Sequence, residues 1–232
     1  MDELTMLGIK YNCDKSYFHN YTPFYEKFFK TFKNNDINIL EIGVNYGASL
    51  LMMKDYFPNA HIYAIDIDPN TIKNYHERIH TYQCSQDNSN RINKLFKNIK
   101  FDIIIDDGSH QTLHQLQSFG FLFKKLKSNG IYICEDIHTS KNKNFITSKT
   151  TPLEMFENYL TTNKIDIPEI NKYEQDYLNK TIKSLDIYKR SVNAYKCYNC
   201  GVINNHKFTN CSKCNIDLSP NDLSCSALLI KK

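Results

Sequence analysis

Two short segments constrain the fold of this chain more than anything else in it. The first is Leu40-Glu41-Ile42-Gly43-Val44-Asn45-Tyr46-Gly47-Ala48-Ser49, and the second is Phe101-Asp102-Ile103-Ile104-Ile105-Asp106-Asp107-Gly108-Ser109-His110. The first reads as a buried strand that runs through a glycine turn into a helix. The second reads as another buried strand ending in acids and a histidine. Strand ends and helix starts leave backbone groups free, so open α/β sheets place their ligands at the carboxyl edge of the strands. Both segments therefore point to a small-molecule site at that edge.

The rest of the pattern supports a parallel sheet covered on both faces, because apolar runs alternate with amphipathic stretches. Strands are expected over 37–42, 61–65, 80–84, 101–105 and 130–134, with helices over 47–56, 69–79, 89–98 and 113–126. Ser128-Asn129-Gly130 has the chemistry of a helix C-cap. An opening helix is expected over 23–32, with its proline early in the first turn. The polar stretch 139–151 reads as a loop over the site, followed by helices over 152–161 and 169–185 and strands over 186–196 and 224–230.

At 232 residues with 41% hydrophobic composition, the chain can bury one ordinary core plus a small appendage. No run approaches the ~20 apolar residues of a membrane span. The first residues lack the basic-then-apolar layout of a secretory signal, so a cytoplasmic setting without membrane attachment is expected. The net charge of +4 is too small to imply nucleic acid by itself.

Gly43 and Gly47 allow the backbone to turn sharply and approach a ligand. Their Gly-x-x-x-Gly spacing departs from the dinucleotide fingerprint. Asp66, at the end of the next strand, supplies a carboxylate suited to ribose hydroxyls. With Glu41 ahead of the glycines, this segment resembles the first motif of class I S-adenosylmethionine-dependent methyltransferases, and the likeness runs over residues 12–138 and the closing strand. The resemblance implies a Rossmann-like, doubly wound, mostly parallel seven-stranded sheet with an antiparallel last strand. It also implies that Glu41, Gly43 and Gly47 lie at the methionine part of the cofactor, that Asp66 holds the ribose, and that Gln86 and Asp87 meet the adenine. Asp106 is assigned to the cofactor as well.

Asp106, Asp107 and His110 follow one strand and Glu135 and Asp136 the next, so parallel pairing brings all five to one edge. Crowded carboxylates raise one another's pKa unless a positive charge sits among them, and a hard divalent cation is the simplest such charge. Neighbours on a turn can exchange roles, so Asp106 and Asp107 stay open as the ligand. His110 has the chemistry of a general base. Asp106-Asp107-Gly108-Ser109-His110, Glu135-Asp136 and the early Asp14-Lys15-Ser16-Tyr17-Phe18-His19-Asn20-Tyr21 resemble the metal-dependent sugar O-methyltransferases that act on macrolides. That likeness implies Mg²⁺ on Asp107, Glu135 and Asp136, His110 as base, and a small-molecule or glycan acceptor. Lys15, His19 and Tyr21 would line the cofactor or substrate entrance.

Cys197-x2-Cys200 and Cys211-x2-Cys214, ten residues apart, have the spacing of a four-thiolate Zn²⁺ site with no vacancy for water, hence structural. The remaining Cys13, Cys84, Cys134 and Cys225 are scattered. The expected organisation is a methyltransferase domain over 1–195, a zinc ribbon over 196–216 set into the final hairpin, and the closing strand over 217–232. The leading reading is an O-methyltransferase. A binding or scaffold protein whose ribbon recruits a partner, or an RNA or protein methyltransferase, are the alternatives. A nucleic acid or protein on the ribbon is the less favoured partner, and a homo-oligomer is compatible with the sequence.

Overall fold

The computed structural model describes residues 1–190, 194–196, 200, 202–205, 210–215 and 224–232. Its centre is a seven-stranded sheet built from β1 (Asn38–Ile42), β2 (His61–Asp66), β3 (Ile79–Gln83), β4 (Phe101–Asp106), β5 (Leu126–Cys134), β6 (Ile182–Lys189) and β9 (Cys225–Lys231). The spatial order is β3-β2-β1-β4-β5-β9-β6. β1 to β5 pair in parallel, and β9 runs antiparallel to both β5 and β6. This is the mixed sheet with one reversed strand that the resemblance implied. A separate antiparallel pair, β7 (Ala194–Lys196) and β8 (Ile203–Asn205), lies between β6 and β9 in the chain.

Strand alternation divides the core into two layers. Ile39, Ile103, Ile105, Ile131 and Ile133 face one side, with Leu4, Tyr21, Tyr25 and Met53 from the N-terminal half of the chain. Leu40, Ile42, Ile104, Tyr132 and Cys134 face the other, against Phe96, Phe119 and Phe156. The same alternation, carried to the strand ends, aims the acids. Position 41 follows 39, 107 follows 105 and 135 follows 133, so Glu41, Asp107 and Glu135 turn to the first face. Asp106 turns to the second.

The first face is roofed by α1 (Glu3–Lys10), α2 (Asp14–Tyr17), α3 (Thr22–Phe29) and α4 (Ala48–Tyr56). α1 starts where the Asp2 carboxylate accepts the Thr5 backbone N–H, an N-cap bond. Ser16 of α2 packs so tightly on α1 that a Cβ on Gly8 would meet Ser16 Oγ at 1.6 Å. The second face is covered by α5 (Ser89–Leu95), α6 (Thr112–Leu122), α7 (Pro152–Thr162) and α8 (Lys172–Thr181). α7 opens with a full capping box, Thr151 with Glu154, and Pro152 in its first turn.

Four expected elements differ from the structure, the first being the strand over 186–196, which among the described residues is β6, ending at Lys189, and the separate β7. The helix over 69–79 is only a 3₁₀ turn, Pro69–Thr71, and beyond it the Arg78 guanidinium donates to the carbonyls of Lys54, Phe57 and Ala60 and holds its segment against the roof. Asn129 does not cap α6: the helix ends at Leu122 and a 3₁₀ turn follows. Asn129, at φ 59°, lies within β5, whose pairing to β4 shifts register between Phe101 and Ile103. The helix over 169–185 stops at Thr181, where Ile182 and Leu185 become buried positions of β6.

Candidate active site

The carboxyl edge of β1, β2, β4 and β5 opens into a cleft of about 720 Å³. Its wall on one side is the glycine turn. Gly43 at φ 91° passes so close to β4 that a Cβ there would lie 2.1 Å from the Asp107 carbonyl oxygen. Gly47 at φ 78° starts α4 beneath the Tyr75 ring. Asp66 fixes this turn: one carboxylate oxygen accepts the N–H groups of Val44 (2.8 Å) and Asn45 (3.2 Å), and the other accepts that of Asp68 (2.9 Å). Asp66 and both flanks of the turn line the cleft.

In the same cleft stand Asp107, His110 and Asp136, each offering a ligand atom within 4.8 Å of the others. His110 Nε2 lies 3.9 Å from Asp107 Oδ1 and 3.8 Å from Asp136 Oδ2, with Phe145 of the 139–151 loop edge-on to its ring. His110 and Asp136 both sit in the left-handed region, at φ 57° and 54°. Neither is glycine, and for an L-residue this backbone costs roughly 1–2 kcal/mol. Such outliers cluster where geometry is held for function. For Asp136 the left-handed turn also breaks the strand alternation and aims its side chain into the cleft.

Asp136 is ringed by three histidines and one tyrosine hydroxyl. Tyr21 donates its hydroxyl to Oδ1 at 2.7 Å, His19 Nδ1 lies 3.5 Å away and His138 Nδ1 3.9 Å. Burial alone would raise the Asp136 pKa, but His19, His110, His138 and the Tyr21 hydroxyl outweigh it and hold the carboxyl below its usual range. Glu135 behaves in the opposite way, its pKa pushed up by burial and by Asp107 and Asp136 despite Lys15.

Lys15 is the site residue whose place the sequence did not reveal. Lys15 lines the cleft as expected, but its ammonium is buried between Glu135 Oε2 (2.9 Å), Glu41 Oε1 (3.5 Å) and Asp107 Oδ2. Burial would lower its pKa, but the carboxylates of Asp107, Glu135 and Glu41 raise it well above the ordinary lysine value. A protein cation thus already sits among the acids, where the crowding argument looked for a metal. Glu41 also accepts the Ser49 hydroxyl at 2.8 Å, and burial pushes its carboxyl up to about 7.

The remaining expected cofactor residues divide. Asp106 faces the second layer, fully buried, where Ser118, Tyr132 (3.0 Å) and Gln86 Nε2 (3.0 Å) donate to it; burial raises its pKa to about 6. Its side chain is therefore not in the cleft, which separates its role from that of Asp107. Gln86 is buried too, and its Oε1 accepts the Ser109 N–H at 2.7 Å, so it supports the turn that carries His110. Asp87 is exposed, 2.5 Å from the Ser85 hydroxyl.

Away from the cleft, the sulfur atoms of Cys200, Cys211 and Cys214 gather within 4.8 Å of one another. Cys200 Sγ and Cys211 Sγ are 3.5 Å apart. A disulfide needs about 2.05 Å, whereas two thiolates on one tetrahedral Zn²⁺ with ~2.3 Å bonds lie about 3.8 Å apart. Cys197 lies outside the described residues.

Comparison with known proteins agrees with this architecture. A family model described as a methyltransferase domain matches residues 40–137. The mycinamicin VI 2″-O-methyltransferase of Micromonospora griseorubida is 34% identical over 148 residues, covering 60% of this chain and 37% of that protein. A rhamnosyl tetracenomycin-C 2′-O-methyltransferase of Streptomyces olivaceus is 34% identical over 145 residues, 59% of this chain and 38% of that protein. This chain therefore spans well under half the length of these curated relatives. Among solved structures, the MycE methyltransferase of the mycinamycin pathway, in complex with Mg, SAH and mycinamycin VI, superposes with a TM-score of 0.72 at 25% identity, covering 99% of this chain and 54% of that one. Among the described residues, no helix is long and apolar enough to cross a membrane. The strand order matches the fold of the MycE methyltransferase, and the segment 40–137, which carries the glycine turn with its Asp66 brace and the acids after β4 and β5, is similar to a methyltransferase domain.

Proposed function

We propose that this protein is an O-methyltransferase that uses S-adenosylmethionine and a divalent cation to methylate a hydroxyl on a sugar or another polyhydroxylated small molecule. The observation that carries the reading is His110, held in a left-handed turn between Asp107 and Asp136 in the same cleft that the braced glycine turn lines. The mycinamicin and tetracenomycin enzymes, whose names record sugar O-methylation, share this stretch of sequence.

The residues present fit both groups. Asp107 and Asp136 bring carboxylate oxygens within 4.8 Å of each other, and Glu135 Oε1 is buried without a hydrogen bond, a donor set that suits a cation with oxygen ligands. Asp107, Glu135 and Asp136 would hold Mg²⁺, which lowers the pKa of an attached hydroxyl and fixes its oxygen. The Gly43–Gly47 turn would underlie the methionine moiety, with Asp66 offering its remaining lone pairs to the ribose. Asp87, at the rim, is the candidate for the adenine end.

Transfer forms a C–O bond and breaks the methyl C–S bond, and that bonding pair returns to sulfur, giving S-adenosylhomocysteine. His110 Nε2 takes the hydroxyl proton as the methyl arrives. Asp107 and Asp136 beside the ring stabilise the imidazolium formed, so charge is moved within the site rather than created.

The reading is tested by calorimetry of S-adenosylmethionine with and without Mg²⁺. Micromolar binding is expected in the wild type and its loss in Asp66→Ala, which removes both the ribose acceptor and the brace of the turn. No binding in either buffer would sink the enzyme reading.

The thiol cluster adds a second metal. We infer a structural Zn²⁺ held by Cys200, Cys211, Cys214 and, from sequence spacing, Cys197, in a ribbon over 196–216 set between β6 and β9. Four sulfur ligands close the coordination shell, so the ion staples the segment rather than reacting. Metal analysis of the purified chain should give one zinc per protein, lost in Cys200→Ser; full retention in that variant would refute the site.

A further inference from the structure

Lys15 reaches the acids of three strands from a short helix on the roof, and it does so in a selective way. Its ammonium takes Oδ2 of Asp107 and Oε2 of Glu135. The other oxygen of each carboxylate is left for something else: Asp107 Oδ1 faces His110 Nε2 at 3.9 Å, and Glu135 Oε1 is buried with no hydrogen bond. Lys15 cannot easily yield. Its side chain is 2% exposed, its carbonyl accepts the Tyr21 N–H at 2.7 Å, and Cys13, two residues earlier, is tied to α1 by its N–H to Gly8 O at 2.8 Å.

We propose that Lys15 is a positioning residue that sets which divalent cation the site accepts. By occupying one oxygen of Asp107 and of Glu135, it makes each available to a metal through a single oxygen. Mg²⁺ needs six ligands in near-octahedral geometry and accepts monodentate carboxylates. Ca²⁺ takes six to eight oxygens and gains from bidentate ones. A carboxylate pair that can offer only one oxygen each therefore favours the smaller ion. This assignment rests on the divalent-cation reading above.

The test is competition of Mg²⁺ and Ca²⁺ against Mn²⁺, followed by electron paramagnetic resonance of the free Mn²⁺ ion. The wild type should bind Mg²⁺ in preference to Ca²⁺. In Lys15→Met both oxygens of Asp107 and Glu135 are released, and the preference should shift toward Ca²⁺ by about 10-fold or more. General loosening of the fold would weaken both ions without moving their ratio in that direction. Because Lys15→Met leaves buried acids without their cation, the double variant Lys15→Met/Glu41→Gln removes one charge of each sign and keeps the three acids assigned to the metal. The same shift is expected in it. A ratio unchanged within about 2-fold in either folded variant would overturn the role of Lys15 alone. Absence of Mn²⁺ binding to the wild type would overturn the cation reading, and this assignment with it.

Discussion

Replacing His110 with asparagine is expected to lower turnover by about 10²–10⁴-fold while leaving S-adenosylmethionine binding intact. Asparagine is the informative substitution because His110 sits at φ 57°, a backbone region that asparagine tolerates better than other non-glycine residues. The variant therefore removes the base without adding backbone strain, whereas His110→Ala does both. The glycine turn and Asp66, where the cofactor is expected, belong to β1, α4 and β2 rather than to the turn that carries His110, so calorimetric binding should be unchanged. Turnover in His110→Asn above about one-tenth of the wild-type rate would remove His110 from proton transfer.

Gly43→Ala should be the most damaging single methyl group that can be added to the sheet edge. The residue is at φ 91°, which costs an L-residue roughly 1–2 kcal/mol. The new Cβ would also press on the Asp107 carbonyl oxygen from 2.1 Å. That oxygen belongs to backbone, so relief requires β1 and β4 to separate at the point where Asp107 N–H bonds to Ile42 O at 3.0 Å. A loss of about 3 kcal/mol is expected, a fall in Tm of about 6–12 °C, together with loss of cofactor binding. A thermal scan showing Tm within about 2 °C of wild type would mean that the turn has slack that its geometry does not show.

Much of this arrangement was legible in the sequence because strands and tight turns are local events. The runs ending at Ile42, Asp106 and Cys134 announced β1, β4 and β5, and the two glycines announced the turn between β1 and α4. What could not be read was any feature that depends on register. Asp106 and Asp107 are chemically alike, and only the pairing of Ile105 with Glu41 and Ile133 reveals that Asp107 shares a face with Glu41 and Glu135. Lys15 was hidden for a related reason. In a chain with 29 basic residues a lone lysine carries little information, and its partners lie 26, 92 and 120 positions away. The helix expected over 69–79 gives way to an extended segment whose Arg78 guanidinium donates to the carbonyls of Lys54, Phe57 and Ala60 at the end of α4. The opening motif around His19 and Tyr21 was noticed, but its purpose, to surround Asp136, appears only when the N-terminal roof folds over the sheet.

β6 and β9 meet at the edge where the cleft opens, and their last rung, Arg190 N–H to Ser224 O at 2.8 Å, closes the base of the cysteine-bearing segment. Beside that rung, the Ser224 hydroxyl meets His19 at 2.9 Å and the Tyr21 oxygen lies 3.2 Å from the Cys225 carbonyl. Two strand ends pinned this closely form a socket. The entropy of closing a loop across it rises by only about 0.6 kcal/mol for each doubling of length, so the plugged-in segment can grow, shrink or be exchanged while β5, β9 and β6 keep their register. The length and content of that segment can therefore change without moving the acids at the ends of β4 and β5.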